Sequence, residues 1–394
     1  MFADRIHAQV NLSLHDAVTQ ALENNPAVQA SNERITSAQG LRQQAGLILN
    51  PKLILQTENT RPYSPFVFAR DTDNFAYLQQ TFETAGKRER RAEAATTAVR
   101  RAEIERELLR RQISLRVKSA YWLAAGARMA ERLLSEDIQS FRRIIEYHEN
   151  RVKEGAMAEV DLIRVRLEGE RLEIALNNAA LEAERARIHL FREMGKTQFP
   201  DVILTEQLEP VPDRPMVPVD QAVRDRPEMR LASQIVNQAR AGLQLQQANA
   251  KPNVDVLFGY KRATGFDSMI GGVQVDLPFT NRNQGNIAAA SAEIRVAEST
   301  LAVTEALVRA EIIAAERDYT IRRRQIGDFL KGMRSKADES ARIAEAAYRE
   351  GGADLLRLLD AQRLRIETQL LYYRALTEFR QSVTALEAAL GVMQ

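Results

Sequence analysis

The sequence predicts a mainly α-helical chain with a small membrane β-barrel contribution, built as two tandem repeats of helix, β-hairpin, long helix, turn and returning helix. Three observations predict it. The first is a duplication: Ala21–Pro26 (ALENNP) matches Ala222–Pro227 (AVRDRP), Asn50-Pro51-Lys52 matches Lys251-Pro252-Asn253, Lys153-Glu154-Gly155 matches Arg349-Glu350-Gly351, and Met194-Gly195 matches Leu390-Gly391. Solenoid repeats run to roughly 20–50 residues, so this longer period denotes a duplicated domain-sized unit. The second is that no proline occurs between Pro65 and Pro200 or after Pro278. Those stretches are rich in Ala, Leu, Glu, Arg and Gln, which are strong helix formers. The third is that alternating, strand-like runs occupy the same place in both halves.

The first repeat, 11–195, opens with Ser13 as an N-cap and a short helix to Asn25, after which Pro26 starts a second helix at a tolerated position. That helix is expected to reach about Leu49, before Pro51. Leu53–Thr60 and Asn74–Phe82 read as strands on either side of a loop, Arg61–Asp71, that carries Pro and aromatic residues. After Gly86 a helix of roughly sixty residues, on the order of 90 Å at about 1.5 Å per residue, is expected to near Glu149. Leu108, Leu115, Trp122 and Met129 recur every seven positions and mark a coiled-coil seam. A turn at Arg151–Ala158 containing Gly155 leads to a returning helix, Glu159–Met194.

A Pro-rich linker, 196–218, leads to the second repeat, 219–394. Its expected parts are a helix Pro227–Ala250, a strand Asn253–Lys261, a loop with Gly265, and a strand Ile270–Phe279. In the last, Val273, Val275, Leu277 and Phe279 share one face, and Gln274 and Asp276 share the other. A second long helix carries Ile287, Ile294, Leu301, Val308 and Ala315 at intervals of seven. After the Gly351-Gly352 turn, Leu359, Ile366 and Tyr373 keep that interval on the way back.

Fifty-five basic against fifty-three acidic residues leave a formal charge of +2, which provides no global field to recruit nucleic acid. The basic run Lys87–Lys118 is interleaved with glutamates and reads as a solvated helix face. Cysteine is absent, so disulfides, thiolate metal sites and a lipid-modified Cys are excluded. No run of about 18 apolar residues marks a transmembrane helix, but the weaker alternating signal of barrel strands remains open. Ile6-His7-Ala8 reads as the tail of a cleavage site whose signal region is missing. A lone hairpin is not stable in water, and a filled barrel needs about eight strands. The strands therefore call for partners from other chains; three chains would supply twelve strands and twelve helical rods.

This arrangement resembles the TolC-like outer-membrane efflux proteins, and within them the branch related to CzcC of heavy-metal efflux. The resemblance covers nearly the whole chain. It rests on Leu12–Gln29 (LSLHDAVTQALENNPAVQ), Asn50-Pro51-Lys52-Leu53, Phe82–Arg88 (FETAGKR), Leu277-Pro278-Phe279 with Asn281–Gly285 (NRNQG), and Leu359–Arg363 (LDAQR). It implies a homotrimer, an outer-membrane β-barrel continued by a periplasmic α-barrel, supplied by an inner-membrane RND-type pump through a periplasmic adaptor (membrane fusion protein). It further implies that Arg151, Val152, Gly155, Ala156 and Met157 at one helical tip, and Tyr348, Gly351 and Gly352 at the other, meet the adaptor. Just inside them, Asp161, Arg164, Arg357 and Asp360 match a constricted periplasmic gate; the family often has an acid where Arg357 stands. Charged rings at such a constriction select ions.

No catalytic constellation, metal site or cofactor motif accompanies this pattern. His7, His15, His148 and His189 are isolated and lack Glu-x-x-His spacing, so solvent-facing or helix-packing roles are expected. The nine methionines are scattered packing residues, and Trp122 is read as a seam residue. Tyr63, Phe66 and Phe68 are expected in an aromatic belt or in loop packing. A soluble coiled-coil scaffold is the rival reading, but it leaves two identically placed hairpins unexplained. The cargo, metal or organic, is not written in the chain.

Overall fold

The computed structural model describes residues 10–60, 65, 67, 71–209, 217–263 and 265–392. Ile6-His7-Ala8 and Tyr63, Phe66 and Phe68 lie outside the described residues. The chain is mainly helical. In order it forms β1 (Val10–Leu12), α1 (Leu14–Asn24), α2 (Pro26–Ala45), β2 (Lys52–Glu58), β3 (Asp73–Phe82), α3 (Lys87–Lys153), α4 (Glu159–Glu193) and β4 (Val202–Leu204). Then follow α5 (Val219–Asp225), α6 (Pro227–Asn249), β5 (Val254–Ala263), β6 (Phe266–Val275), α7 (Gln284–Arg324), a π turn (Gln325–Leu330), α8 (Lys331–Arg349) and α9 (Leu355–Leu390). Contacts gather these into two compact units, each drawing on both sequence repeats: 1–30, 107–227 and 306–394 in one, 31–106 and 228–305 in the other.

The sheet-bearing unit holds β2, β3, β5 and β6 as one antiparallel sheet in that order, so the two hairpins pair first with each other. In register, Leu53 faces Leu78, Leu78 faces Phe258, and Phe258 faces Gly271. Leu53, Leu55, Leu78, Val256, Phe258, Tyr260, Met269 and Val273 thereby fall on one face, and all are exposed; Leu55 is 72% exposed. The opposite face alternates with it and is mixed, carrying Lys52, Gln56, Gln79, Thr81, Asp255 and Lys261 beside Ile54, Phe75, Tyr77, Leu257 and Ile270. Along β5, residues of this second face are half-buried where those of the first are exposed, as on the inside of a curved sheet. Gly259 pairs with Tyr77 on this face, and a Cβ there would overlap Tyr77.

β6 starts and ends four residues earlier than the sequence predicts. Ala263 already pairs with Phe266, and Pro278 has no N–H for a ladder, so Leu277 and Phe279 lie beyond the sheet. α2 stops at Ala45 rather than Leu49, because Arg91 takes the carbonyls of Ala45 and Leu47 at 2.8 and 3.2 Å while also gripping Glu83. Thr84 and Lys87 of the first repeat hydrogen-bond Pro252 and Asn253 of the second, which fixes the strand entry.

The second unit is a helical body. Its core includes Ile113, Val117, Tyr121, Trp122, Leu190, Tyr372 and Leu376. The buried line of α3 runs through Ile113, Val117, Ala120, Ala124, Leu134, Ile138, Phe141 and His148. The expected line of Leu108, Leu115 and Met129 is only half-buried and flanks it. Close approach of helices needs small residues, and a Cβ on Gly126 would overlap Thr377 of α9. Trp122 is buried as expected, but Arg380 lies over its ring at 4.5 Å and donates to the Leu208 and Gln207 carbonyls.

The linker is also more structured than its prolines suggest. β4 pairs in parallel with β1, and the Tyr121 hydroxyl donates to the Leu12 carbonyl at 2.9 Å while accepting the Glu206 N–H at 3.2 Å. Three-residue strands carry too short an alternation to be read from sequence.

The junctions at the ends of the returning helices are equivalent. Asn25 lies against Gly195 past the end of α4, and Arg226 donates to the Ala389 carbonyl at the end of α9 at 3.0 Å. Gly195 and Gly391 both take positive φ, 75° and 81°.

Candidate helical tips and entrance

The two tips are built by the same backbone device. After α3, the Gly155 N–H reaches the Val152 carbonyl at 3.0 Å and the Ala156 N–H reaches Arg151 at 2.9 Å. After α8, the Gly351 N–H reaches Tyr348 at 3.1 Å and the Gly352 N–H reaches Ala347 at 2.7 Å. Both are Schellman closures on a left-handed glycine, at φ 68° and 79°. Substituting either glycine strains its turn. The returning helices start differently: Asp354 caps α9 by accepting the Arg357 N–H at 2.9 Å, whereas Ala158 at the head of α4 offers no side-chain cap.

Of the eight predicted tip residues, Arg151, Gly155, Ala156, Gly351 and Gly352 are exposed, and Val152, Met157 and Tyr348 are half-buried. Arg151 lies 5.9 Å from the centre of the Tyr147 ring. Tyr348 is turned inward: its hydroxyl lies 2.8 Å from His148 Nε2, and the two rings stack at 5.6 Å and 13°. His148 Nδ1 lies 2.7 Å from the Ile144 carbonyl, which can only accept. Nδ1 therefore carries the proton, and in the neutral ring Nε2 accepts from the tyrosine hydroxyl. Burial pushes the Tyr348 pKa up, and Tyr147 and Asp161 push it the same way against Arg151.

At the expected entrance, the structure brings Asp161 and Arg164 together at 3.7 Å, one turn apart on α4. Asp360 pairs with Arg363 at 2.8 Å rather than with Arg357. Arg357 and Asp360 are exposed and lie on an open groove between α8 and α9 with Ile343 and Leu364. Exposed pairs of this kind contribute about 0–1 kcal/mol, so they leave the charges available to a neighbouring surface. Val160, Leu167, Ile174, Leu181 and Ile188 form an exposed apolar line along α4 at heptad spacing.

Two features escaped the sequence reading. One is the His148–Tyr348 contact; its only signal was that His148 stands thirty-five residues, five heptads, after Ile113 on the buried line. The other is Asp137 of α3, 7% exposed, which accepts from Arg365 of α9 at 2.6 Å. Asp137, His148, Tyr348, Leu358 and Arg365 line a cavity of about 600 Å³ among α3, α8 and α9. Among the described residues, no three His, Asp or Glu side chains form a metal-holding group, and no helix is long and apolar enough to cross a membrane.

Residues 17–196 and 219–392 match the family model for outer membrane efflux proteins. The cobalt-zinc-cadmium resistance protein CzcC of Cupriavidus metallidurans is 23% identical over 383 residues, 96% of this chain and 90% of that one. The outer membrane protein VceC of Vibrio cholerae superimposes with a TM-score of 0.76 at 21% identity, covering 96% of both chains. The open-state MtrE outer membrane channel of Neisseria gonorrhoeae gives 0.81 at 18% identity, covering 96% of this chain and 88% of that one.

Proposed function

The chain belongs to the outer membrane efflux protein family, and from that membership we propose that three copies form the passive exit duct of a tripartite pump. One observation supports this above the others: a curved four-stranded sheet with an exposed apolar outer face, a more polar inner face, and β2 and β6 unpaired at its edges within the chain. An apolar exterior suits outer-membrane lipid, and unpaired edges invite the same sheet from a neighbouring copy. Twelve strands and twelve rods then close around one axis, with repeats 11–195 and 219–394 alternating and 196–218 joining them. The exposed heptad line of α4 offers the seam to the next copy.

The protein works without catalysis or cofactor. The tips Arg151–Met157 and Tyr348–Gly352 meet a periplasmic adaptor that links the duct to an inner-membrane RND-type pump. Asp161, Arg164, Arg357 and Asp360 form the entrance. Divalent heavy-metal cations are the favoured cargo, supported by the likeness to CzcC, whose name records cobalt, zinc and cadmium resistance; small organic compounds are the alternative.

Charge reversal tests the entrance. With Asp161→Lys or Asp360→Lys, single-channel recordings in planar bilayers are expected to show larger or more frequent openings than the wild-type steps, because pairing across neighbouring copies is replaced by repulsion. Unchanged recordings in both variants would count against the entrance assignment. A silent wild-type protein would count against the duct itself.

A further inference from the structure

The two long rods bury the same pattern, but not at a constant offset. Before the π turn, Val308, Ile312 and Tyr319 of α7 are buried at the spacing of Ile113, Val117 and Ala124 of α3, each 195 positions earlier. From its last residue on, Leu330, Ala337 and Ala344 match Leu134, Phe141 and His148, each 196 positions earlier. The second rod thus holds one residue more between Tyr319 and Leu330. At the seven-residue interval that α3 keeps from Ile113 through Leu134 and Phe141 to His148, an uninterrupted helix would carry the buried line of Val308 on to Phe329, Lys336 and Ile343. These are exposed, Phe329 at 61% and Ile343 at 59%. The π turn absorbs the extra residue: the Lys331 N–H bonds the Ile326 carbonyl, five residues back instead of four.

We propose that the π turn Gln325–Leu330 is a one-residue insertion that serves as a hinge in the second rod, where α3 has none. Packing does not require the insertion, because α3 keeps the same seven-residue interval buried from Ile113 to His148 without one. The turn is held on one side only, by Ile326 and Leu330 in the core. Gln325, Gly327, Asp328 and Phe329 are exposed, and a Cβ on Gly327 or Gly332 would meet nothing. The wider i→i+5 bonding is weaker than α bonding and concentrates bending at that point. The hairpin beyond it, α8 and α9, carries Tyr348, Arg357 and Asp360, so the hinge would let this half of the entrance tilt while the hairpin of α3 and α4 stays straight. The link to opening rests on the duct reading; the hinge itself does not.

The test is a single-residue deletion in the full-length protein in detergent. Removing Gly327 is expected to leave the melting temperature unchanged or raised, whereas removing exposed Ala314 from α7 throws Tyr319 out of phase and lowers it sharply. In the wild type, amides of 325–331 are expected to exchange at least tenfold faster than the matching amides of 129–135, and deletion of Gly327 should abolish the difference. Open probability in bilayers should fall roughly fivefold or more in the same variant. Equal losses of stability in the two deletions would overturn the insertion. Equal exchange in the two wild-type segments, or unaltered opening after Gly327 is removed, would overturn the hinge. A wild type that exchanges as expected but never conducts would sink the duct reading and leave the hinge standing.

Discussion

Replacing Arg365 with alanine is expected to cost the folded chain about 3–5 kcal/mol at neutral pH, because it strands a buried carboxylate. Asp137 is 7% exposed, and the Arg365 guanidinium at 2.6 Å is its charge partner. Its second oxygen, Oδ2, is buried without a hydrogen-bond partner. Burial pushes the Asp137 pKa above its ordinary value of 3.8, Arg365 pulls it back, and Glu136 and Asp338 add to the rise.

The sign of the pH effect follows. A carboxyl group whose pKa is higher in the folded than in the unfolded chain binds its proton more readily when folded. Its contribution to stability is therefore lost as pH rises from about the unfolded value of 3.8 through the folded one, and regained as pH falls. Without Arg365 the folded value rises further, so much of the loss in Arg365→Ala should be recovered at mildly acid pH. Urea denaturation of the purified protein in detergent at neutral and mildly acid pH measures both. The double variant Asp137→Leu, Arg365→Met should be far less damaged than Arg365→Ala alone, since it removes the stranded charge. A pH-independent loss, or a double variant as weak as the single, would show that Arg365 matters by packing alone.

Placing an arginine at Phe258 is the other change of large expected effect. Phe258 stands in the middle row of the sheet, on the exposed apolar face, 61% exposed in the single chain. If that face meets lipid, Phe258→Arg costs about 2–4 kcal/mol per chain near the bilayer midplane. Three copies suffer it together, so folding into lipid vesicles should fail almost completely. Gln56→Lys on the inner face of the same sheet should fold nearly as well as wild type, because its charge faces water. If both variants fold equally, the outer face is not a lipid face.

Much of this architecture was legible in the sequence because it rests on local signals. Ser13 and Pro26 mark helix starts, Gly155 and Gly351 close the tips, and long Pro-free stretches give the rods. What escaped depends on contacts between distant segments. A heptad count favours large residues and points to Leu108 and Leu115 on α3, while the tight contact of Gly126 against Thr377 uses the smallest. The shifted bounds of β6 follow from pairing with β5, which alternation alone does not fix. The π turn is a one-residue change of phase, visible only when the buried positions of both rods are known. Asp137 and Arg365 stand 228 positions apart, and nothing local to either announces the other.

The central claim is that the sheet of one chain is a segment of a barrel completed by two further copies. Native mass measurement of the protein extracted from membranes in detergent tests this directly. The expected species is three times the 44.4 kDa chain, stable only while detergent is present. A monodisperse dimer that stays soluble without detergent would contradict it and restore the coiled-coil scaffold.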